Sequence, residues 1–299
     1  MIDGLNWIAV DWGTSRCRAW AIGAGEVLAQ TQSGDGMGTL ERDGFEPALL
    51  RLIGPWLGAD PVEVIACGMV GSRQGWAEAP YRTVPCTPTD GTTAPAPAQD
   101  PRLTVRLIPG LRQLDPADVM RGEETQIAGW LAQNPDFDGI LCLPGTHTKW
   151  AQISAGEVVS FRTFMTGDLY AAISDHTVLR HSVGDGWDDG AFADALDTAL
   201  AKPEALATRL FAIRAEGLLA GVTPGAGAAR LSGLLIGAEL AAARPYWLGQ
   251  NVAILGGTSH VARYATALSH QGVTARAADA DTMTRAGLAA ARQHLTESA

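Results

Sequence analysis

A carboxylate and a glycine–hydroxyl turn follow the first apolar segment of the chain. Residues 6–12 predict a buried strand that carries Asp11 near its end and leads into Gly13, Thr14 and Ser15. Glycine lets the backbone approach a ligand closely, and successive N–H and hydroxyl groups bind anions. Mg²⁺ takes one or two carboxylates and keeps most of its waters, so Asp11 is a candidate ligand, direct or through water. The turn predicts a phosphate site, although a plain hairpin capped by Asp11 uses the same residue types.

Two further glycine turns follow apolar strands later in the chain. The segment "LPGTHTKW" contains the second, and "ILGGTSHVARY" contains the third. The candidate ligand-binding residues are Gly145, Thr146, His147, Thr148 and Lys149 in the second turn, and Gly256, Gly257 and Thr258 in the third. Lys149 either neutralises charge on a transferred phosphoryl group or is a solvated strand lysine. The chain has no Walker A lysine–serine pattern, and no G-x-G-x-x-G opens a helix after the first strand, which disfavours the usual P-loop and Rossmann sites.

An acidic pair opens the predicted helix in "GEETQIAGWLAQ". A hydroxyl that accepts a phosphoryl group needs a base or strong acceptor within hydrogen-bond reach, and Glu123 and Glu124 are candidates. The alternative is that both glutamates only complement the positive end of the helix dipole. Asp168, in "MTGDLY" at another predicted helix start, is the rival candidate for the base.

The elements that carry these residues are strands and helices in a mixed order. Strands are predicted over 6–12, 16–22 and 26–31, in "VEVIACG" and in "LTVRLIPGL", and a helix in "FEPALLRLIGPWL". A strand, glycine turn and strand recur in "DGILCLPGTHTKWAQIS", followed by mostly helical residues 167–243 and a last helix over 281–296. The repetition predicts a duplicated α/β fold, with ligands at the carboxyl ends of strands in a crevice between two halves.

Composition indicates an ordinary globular protein of about two domains. The 299 residues are 46% hydrophobic and 18% charged, with a net charge of −10. This charge argues against nucleic acid or an anionic membrane as the main partner, so an anionic substrate needs local Arg, Lys or N–H groups. The four cysteines are scattered without metal-ligand spacing. We expect no signal peptide and no membrane span, and therefore a cytoplasmic protein.

The order of the three turns is similar to that in the actin, hexokinase and Hsp70 superfamily of two-domain ATPases and sugar kinases. More narrowly, the chain resembles the bacterial 2-dehydro-3-deoxygalactonokinase family over about residues 7–290. The segments that carry this resemblance are "VDWGTSRCRAW", "IACGMVGSRQGWAEAPY", "VMRGEETQIAG", "LCLPGTHTKW", "FRTFMTGDLYA" and "LSGLLIGAEL". It implies an α/β fold of two actin-like, ribonuclease H-like domains with an interdomain cleft. The N-terminal domain would span 1–133, completed by a C-terminal helix over 282–299, and the second domain 134–281.

The resemblance also implies a kinase that uses ATP and Mg²⁺. The first two turns would bind the phosphates, and Gly256, Gly257 and Thr258 would contact adenosine. In the hexokinase branch, an acidic residue followed by Thr begins the helix before the second phosphate hairpin. Glu124 is therefore the first choice for the base and Glu123 the second. Those kinases use Asp at this place, and glutamate is one methylene longer.

The implied acceptor is 2-dehydro-3-deoxy-D-galactonate, phosphorylated at its primary 6-hydroxyl. A sugar acid carries a carboxylate, which the planar guanidinium of Arg binds best. The candidate substrate-binding residues are Ser72, Arg73, Gln74 and Trp76 in "GMVGSRQGW" and Arg162, Thr166 and Asp168 in "FRTFMTGDLY". Trp76 alternatively packs against a loop, and Arg121 alternatively pairs with neighbouring acids.

Two other functions remain open from the sequence. A kinase of the same fold could act on another sugar or sugar acid, because one repositioned hydrogen bond changes the accepted epimer. An ATP-gated binding or regulatory protein would instead bind nucleotide tightly and hydrolyse it slowly without an acceptor. The sequence also leaves open whether the chain forms a homodimer and whether the loop over 86–101 is a lid.

Overall fold

A computed structural model describes residues 1–297 of the chain. Its strands and helices are, in chain order, β1 (Trp7–Trp12), β2 (Cys17–Ile22), β3 (Val27–Ser33), α1 (Phe45–Ile53), β4 (Val62–Gly68), β5 (Arg82–Thr83), β6 (Ala94–Pro95), β7 (Leu103–Leu107), β8 (Leu111–Leu114), β9 (Ala117–Met120), α2 (Glu123–Gln133), β10 (Gly139–Leu143), β11 (Thr148–Ser154), β12 (Glu157–Phe164), α3 (Thr166–His176), α4 (Asp189–Ala201), α5 (Leu206–Leu219), α6 (Pro224–Ala242), α7 (Arg244–Trp247), β13 (Val252–Gly256), α8 (Thr258–Ser269), β14 (Arg276–Asp279) and α9 (Ala280–Glu297).

The contacts within the chain divide it into two compact units. The first unit comprises Met1–Asp138, Ile153–Ser160 and the segment that begins at Ala280, and the second comprises Gly139–Gln152 and Phe161–Asp279. The last two residues of the C-terminal helix expected over 282–299 lie outside the described residues.

The first unit is built on a six-stranded sheet with the strand order β3-β2-β1-β4-β7-β6. β1 pairs antiparallel with β2 and parallel with β4, and β4 pairs parallel with β7. β1 and β4 are buried along nearly their whole length, as expected for parallel strands that are covered on both faces. The remaining strands of this unit form a small sheet with the order β5-β8-β9.

Helices cover the two faces of β1. Ile8 and Val10 lie in a hydrophobic cluster with Phe45 of α1, whereas Ala9 lies in a separate cluster with Leu288 of α9. Because successive side chains of a strand point to opposite faces, these two clusters lie on opposite sides of the sheet. The core of the first unit is therefore completed by the helix that is last in the chain.

Helix α9 also packs closely against α2. A Cβ added to Gly287 would lie under 3.0 Å from the backbone of Thr125, and one added to Gly129 would lie under 3.0 Å from the backbone of Met283. Only glycine allows two helix backbones to approach this closely. The contact fixes the position of the first turn of α2, which carries the glutamate pair.

The second unit repeats the strand arrangement of the first. Its five-stranded sheet has the order β12-β11-β10-β13-β14, with β13 parallel to both β10 and β14. In the first sheet, β3, β2 and β1 are followed by β4 and β7, which run parallel to β1. In the second sheet, β12, β11 and β10 are followed by β13 and β14, which run parallel to β10. This arrangement confirms the predicted duplication of an α/β unit.

Helices α4 and α6 pack together in the second unit through small residues. A Cβ added to Gly233 or Gly237 would lie under 3.0 Å from backbone atoms of Phe192 or Leu196. The glycines of "LSGLLIGAEL" therefore serve helix packing. The same helix carries Glu239 into the interior of the unit, where it is 3% exposed.

The largest differences from the predicted elements lie between residues 86 and 120. The strand predicted in "LTVRLIPGL" ends at Leu107, because Pro109 lacks the N–H that would continue the ladder. Strand β9 was not predicted, and the short strand β6 lies within the predicted loop over 86–101. Among the described residues, no helix is both long and apolar enough to span a bilayer.

We expect Gly287→Ala to destabilise the protein by about 2 kcal/mol or more, because its methyl group overlaps the backbone of Thr125. Thermal unfolding followed by circular dichroism measures the effect as a lowered Tm. Gly44→Ala is the matched control, since Gly44 has φ −80° and its added Cβ would meet only a side chain at 3.4 Å. An unchanged Tm for Gly287→Ala would contradict the described packing of α2 on α9.

Candidate functional site

The first glycine turn is a tight loop between β1 and β2. The N–H of Gly13 donates to the carbonyl of Arg16 at 2.9 Å, and Thr14 and Ser15 are exposed. Gly38, in the segment after β3, also stabilises the turn, because its N–H donates to the Thr14 carbonyl at 2.9 Å. These two hydrogen bonds fix the backbone of the turn that carries the N–H and hydroxyl groups of Thr14 and Ser15.

Asp11 precedes this turn and is held by a cation. The carboxylate of Asp11 accepts a hydrogen bond from the guanidinium of Arg18, which also donates to Asp281 at the start of α9. Its side chain is 15% exposed. Within residues 1–297, no group of three or more His, Cys, Asp or Glu side chains is placed to hold a metal ion. One carboxylate fits Mg²⁺ that is bound largely by nucleotide phosphates and water, and does not fit a metal held by protein ligands alone.

Cys67 lies beside Asp11 in the parallel register of β1 and β4. Its thiol donates to Oδ1 of Asp11, with the sulfur 3.8 Å from the oxygen. Burial raises the pKa of the Cys67 thiol well above its usual value, and the carboxylates of Asp11 and Glu124 raise it further. The thiol therefore stays protonated and acts as a donor to the carboxylate.

The glutamate pair begins α2 as predicted. Glu124 is fully buried and accepts hydrogen bonds from the Gly122 N–H at 2.7 Å and the Thr125 hydroxyl at 3.1 Å. Burial raises the pKa of Glu124 to about 8, and the neighbouring charge of Glu123 adds to that rise. Glu123 is half-buried and accepts from the backbone N–H of Arg121 at 3.0 Å. A carboxyl group with the raised pKa of Glu124 exchanges its proton near neutral pH, as a general base must.

The segment "GMVGSRQGW" follows β4 in a compact loop. Ser72 is buried, whereas Arg73 and Gln74 are exposed. Trp76 is 3% exposed and packs against Trp12, with ring centroids 6.4 Å apart. The structure thus gives Trp76 the packing role and presents Arg73 to solvent.

The second glycine turn joins β10 to β11 and lies against the start of α3. The N–H of Asp168 donates to the Thr146 carbonyl at 2.9 Å, and a Cβ added to Gly167 would lie under 3.0 Å from the carbonyl of Gly145. Thr146 and His147 are exposed on this turn. His147 Nε2 lies 3.5 Å from Asp168 Oδ2, so the turn and the helix are also joined by side chains.

Two further residues of this turn are buried, and Arg162 on the neighbouring strand is not. Thr148 is 1% exposed and Lys149 is 5% exposed. The burial of Lys149 excludes the solvated strand lysine considered from the sequence. Arg162 is exposed on β12.

A buried hydrogen-bond network lies beneath the second turn. Glu239 accepts from the Trp150 indole N–H at 2.8 Å, from the Tyr264 hydroxyl at 2.8 Å and from the Thr166 hydroxyl. The Thr148 and Tyr264 hydroxyls are hydrogen-bonded at 2.9 Å. Burial raises the pKa of Glu239 to about 7, although these donors oppose the rise. Thr166, predicted to bind substrate, donates to Glu239.

The diglycine turn lies beside the second glycine turn within the same unit. Gly256 ends β13, and a Cβ added there would lie 3.2 Å from Cγ of Pro144. Gly257 precedes α8 and has open space at its Cα. A cavity of about 110 Å³ is lined by Gly145 and Gly167 on one side and by α6 and α8 residues on the other, including Ser232, Ile236 and Arg263.

Sequence reasoning missed Glu239, Tyr264 and Cys67. Glu239 had a local signal, since it is the single charged residue in the apolar run "LSGLLIGAELAAA". Cys67 could have been found from register, because the carboxyl ends of adjacent parallel strands share one edge of a sheet. Tyr264 had no such signal in the helix "TSHVARYATALS".

Comparison with known proteins relates most of the chain to one group of enzymes. The family model described as 2-keto-3-deoxy-galactonokinase matches residues 11–291. A curated relative from Rhizobium meliloti, named as a 2-dehydro-3-deoxygalactonokinase, is 40% identical over 291 residues, which is 95% of each chain. The 2-dehydro-3-deoxygalactonokinase of Escherichia coli is 34% identical over 288 residues, covering 95% of this chain and 96% of the relative.

Solved structures agree with this relationship. A crystal structure from Sinorhizobium meliloti, named as a 2-dehydro-3-deoxygalactonokinase, has a TM-score of 0.90 at 40% identity and covers 96% of this chain and 98% of its own. The activator of 2-hydroxyisocaproyl-CoA dehydratase from Clostridium difficile has a TM-score of 0.52 at 12% identity, covering 98% and 96%, so it shares the fold alone. The predicted actin-like α/β fold is confirmed. On the extent of the match and the identity to its relatives, the chain belongs to the 2-keto-3-deoxy-galactonokinase family.

Proposed function

We propose that this protein transfers the terminal phosphoryl group of ATP to the primary 6-hydroxyl of 2-dehydro-3-deoxy-D-galactonate. The family and the names of the relatives supply the substrate class. The observation that carries the proposal is Glu124, a fully buried carboxylate with a raised pKa at the start of α2. Phosphoryl transfer needs positioning and charge stabilisation, together with a group that accepts the proton of the acceptor hydroxyl.

Glu124 acts as the base in this proposal. Its two oxygens accept from Gly122 and Thr125, and further lone pairs of a carboxylate remain to accept from a substrate hydroxyl. As the hydroxyl oxygen bonds to the terminal phosphorus, its proton passes to Glu124 and ADP leaves. With a pKa of about 8, the deprotonated fraction of Glu124 grows as the pH rises through neutrality, and this form accepts the proton.

The first turn and Asp11 bind the charged end of the nucleotide. N–H and hydroxyl donors are offered by Gly13, Thr14 and Ser15, on a turn that the backbone N–H of Gly38 also stabilises. Mg²⁺ bound to ATP neutralises phosphate charge, and Asp11 would hold it directly or through water. Arg18 keeps the Asp11 carboxylate in place, because it links Asp11 to Asp281.

The second unit supplies further phosphate donors and the adenosine contacts. Gly145, Thr146 and His147 lie at the second turn, next to the N-terminus of α3, which favours anions. The open space at Gly257 would let the adenine ring lie against the backbone, beside the cavity of about 110 Å³. Lys149 is buried directly after this turn, and Thr258 begins α8 at the diglycine.

Glu124→Gln tests the proposed base. We expect kcat for the 2-dehydro-3-deoxygalactonate-dependent release of ADP to fall by about 100-fold or more, because the amide cannot accept the proton. The assay uses ATP and Mg²⁺ with a panel of 2-keto-3-deoxy acids and neutral sugars. Glu26→Gln, an exposed glutamate of the same unit, is the control.

Two results would count against this proposal. Unchanged turnover by Glu124→Gln would remove Glu124 as the base and direct attention to Glu123 and Asp168. Wild-type protein whose release of ADP is not stimulated by any acceptor would instead fit an ATP-gated binding protein.

Glu123 should set the pH at which the base works. The charge of Glu123 raises the pKa of Glu124, so Glu123→Gln lowers that pKa. A base is active when deprotonated, and kcat/KM rises with pH until its pKa is passed. We therefore expect that, in Glu123→Gln, the pH range over which kcat/KM for the acceptor rises will move to lower pH. The measurement is made at saturating ATP and Mg²⁺. A limb that stays in place or moves to higher pH contradicts the assignment.

Glu239 should hold the second turn in its binding conformation. Glu239→Leu leaves the indole N–H of Trp150 and two hydroxyls without their acceptor, at about 1–3 kcal/mol for a buried donor. We expect KM for ATP to rise by about 10-fold or more and KM for the acceptor to change little. Glu239→Gln is the matched control, because it keeps an acceptor and resembles the protonated form favoured by a pKa of about 7. Equal effects on both KM values would show a general loss of structure.

A further inference from the structure

The guanidinium of Arg121 is buried in the first unit without a carboxylate partner. Arg121 follows β9 and is 9% exposed. Its Nη2 donates to the carbonyl of Ala79 at 2.8 Å, and its Cζ lies 4.3 Å from the ring centroid of Tyr81. Nε and Nη1 are buried and have no hydrogen-bond acceptor among the described residues. A full positive charge thus lies in the interior with two of its donor groups unused.

A second unused polar group belongs to the residue that follows Gly71, the glycine that this guanidinium lies against. The hydroxyl of Ser72 is buried and has no hydrogen-bond partner among residues 1–297. A Cβ added to Gly71 would lie 2.9 Å from Nη1 of Arg121, so the guanidinium lies against the residue that precedes Ser72. The loop is held there because the N–H of Ala79 donates to the Gly71 carbonyl at 2.9 Å.

Among the described residues, the neighbouring acids accept no hydrogen bond from the guanidinium of Arg121. Glu123 accepts from the backbone N–H of Arg121 rather than from its guanidinium. Glu124 accepts from Gly122 and Thr125, and neither glutamate forms a described salt bridge with Arg121. The neighbouring acids therefore leave Nε and Nη1 of Arg121 without an acceptor, although the charge of Arg121 lowers the pKa of Glu124.

A buried cation with unused donors is unfavourable for stability alone. A buried donor without an acceptor has lost the hydrogen bonds that it made to water in the unfolded chain, and this loss is larger when the donor is charged. An apolar side chain of similar size would fill the same space without that cost. An anionic acceptor that binds reversibly would satisfy the donors, which gives arginine a function at this position.

We propose that Arg121, assisted by Ser72, binds the carboxylate of the sugar-acid substrate. This inference rests on the proposed function, because that function supplies a substrate with one carboxylate. Arg121 is three residues before Glu124, and its charge lowers the pKa of Glu124. We therefore place the substrate carboxylate at Arg121 and the reacting hydroxyl at Glu124. Arg121 then selects sugar acids over neutral sugars, a role first assigned to Arg73, which is exposed.

Arg121→Met and Arg121→Lys test this proposal with two acceptors, 2-dehydro-3-deoxygalactonate and its neutral carboxamide. We expect Arg121→Met to lower kcat/KM for the acid by about 100-fold or more, mainly through KM, with little change for the amide. Arg121→Lys should retain part of the preference for the acid, because it keeps the charge without the planar fork. KM for ATP should stay unchanged. Arg51→Met, at an exposed arginine of the same unit, is the matched control and should behave as wild type.

Binding without ATP separates this proposal from the proposed reaction. Titration calorimetry measures the affinity of each variant for the acid and the amide, and Ser72→Ala provides a smaller change if Arg121→Met does not fold. Selective loss of acid binding in Arg121→Met or Ser72→Ala supports the carboxylate site, even if wild-type protein transfers no phosphoryl group. Equal loss of acid and amide binding, or loss of acid preference in Arg73→Met alone, overturns it.

Discussion

The parallel pairing of β1 with β4 fixes the geometry on which the rest of the first unit depends. In this register Asp11 lies opposite Cys67, and Trp12 lies opposite Gly68. Both strands therefore end at the same level, where the chain must turn away from the sheet. Gly68 turns it with φ +89°, and a Cβ there would lie 2.7 Å from the Trp12 carbonyl. The first glycine turn and the loop that carries Ser72 start from this common edge.

The start of α2 reaches the same edge through a second glycine. Gly122 has φ +107°, a conformation that L side chains rarely adopt, and its added Cβ would lie 3.4 Å from the Cα of Gly68. This approach connects the end of β4 to the first turn of α2. The carboxylates of Asp11 and Glu124 both raise the pKa of Cys67, which shows how closely these groups are gathered.

The elements and the order of the turns were predictable because they follow from local patterns. Apolar runs, glycine turns and the acidic start of α2 are visible within about ten residues each. The partners of polar side chains were not predictable, because they come from distant segments. Thr166 and Trp150 meet at Glu239, which lies in α6. Burial also distinguishes Arg121 from Arg73, and no local sequence pattern predicts which of the two arginines is buried.

The closing of the first unit by α9 has a consequence for biosynthesis. Ala9 and Ile65 belong to the beginning of the chain, but they share a hydrophobic cluster with Leu288 and Ala291. A ribosome releases the whole second unit before it releases those partners. Until α9 has been synthesised, β1 and β4 therefore have one apolar face uncovered. The second unit can fold during this time. Contacts between residues so far apart in sequence close slowly, so the core of the first unit is completed late in folding.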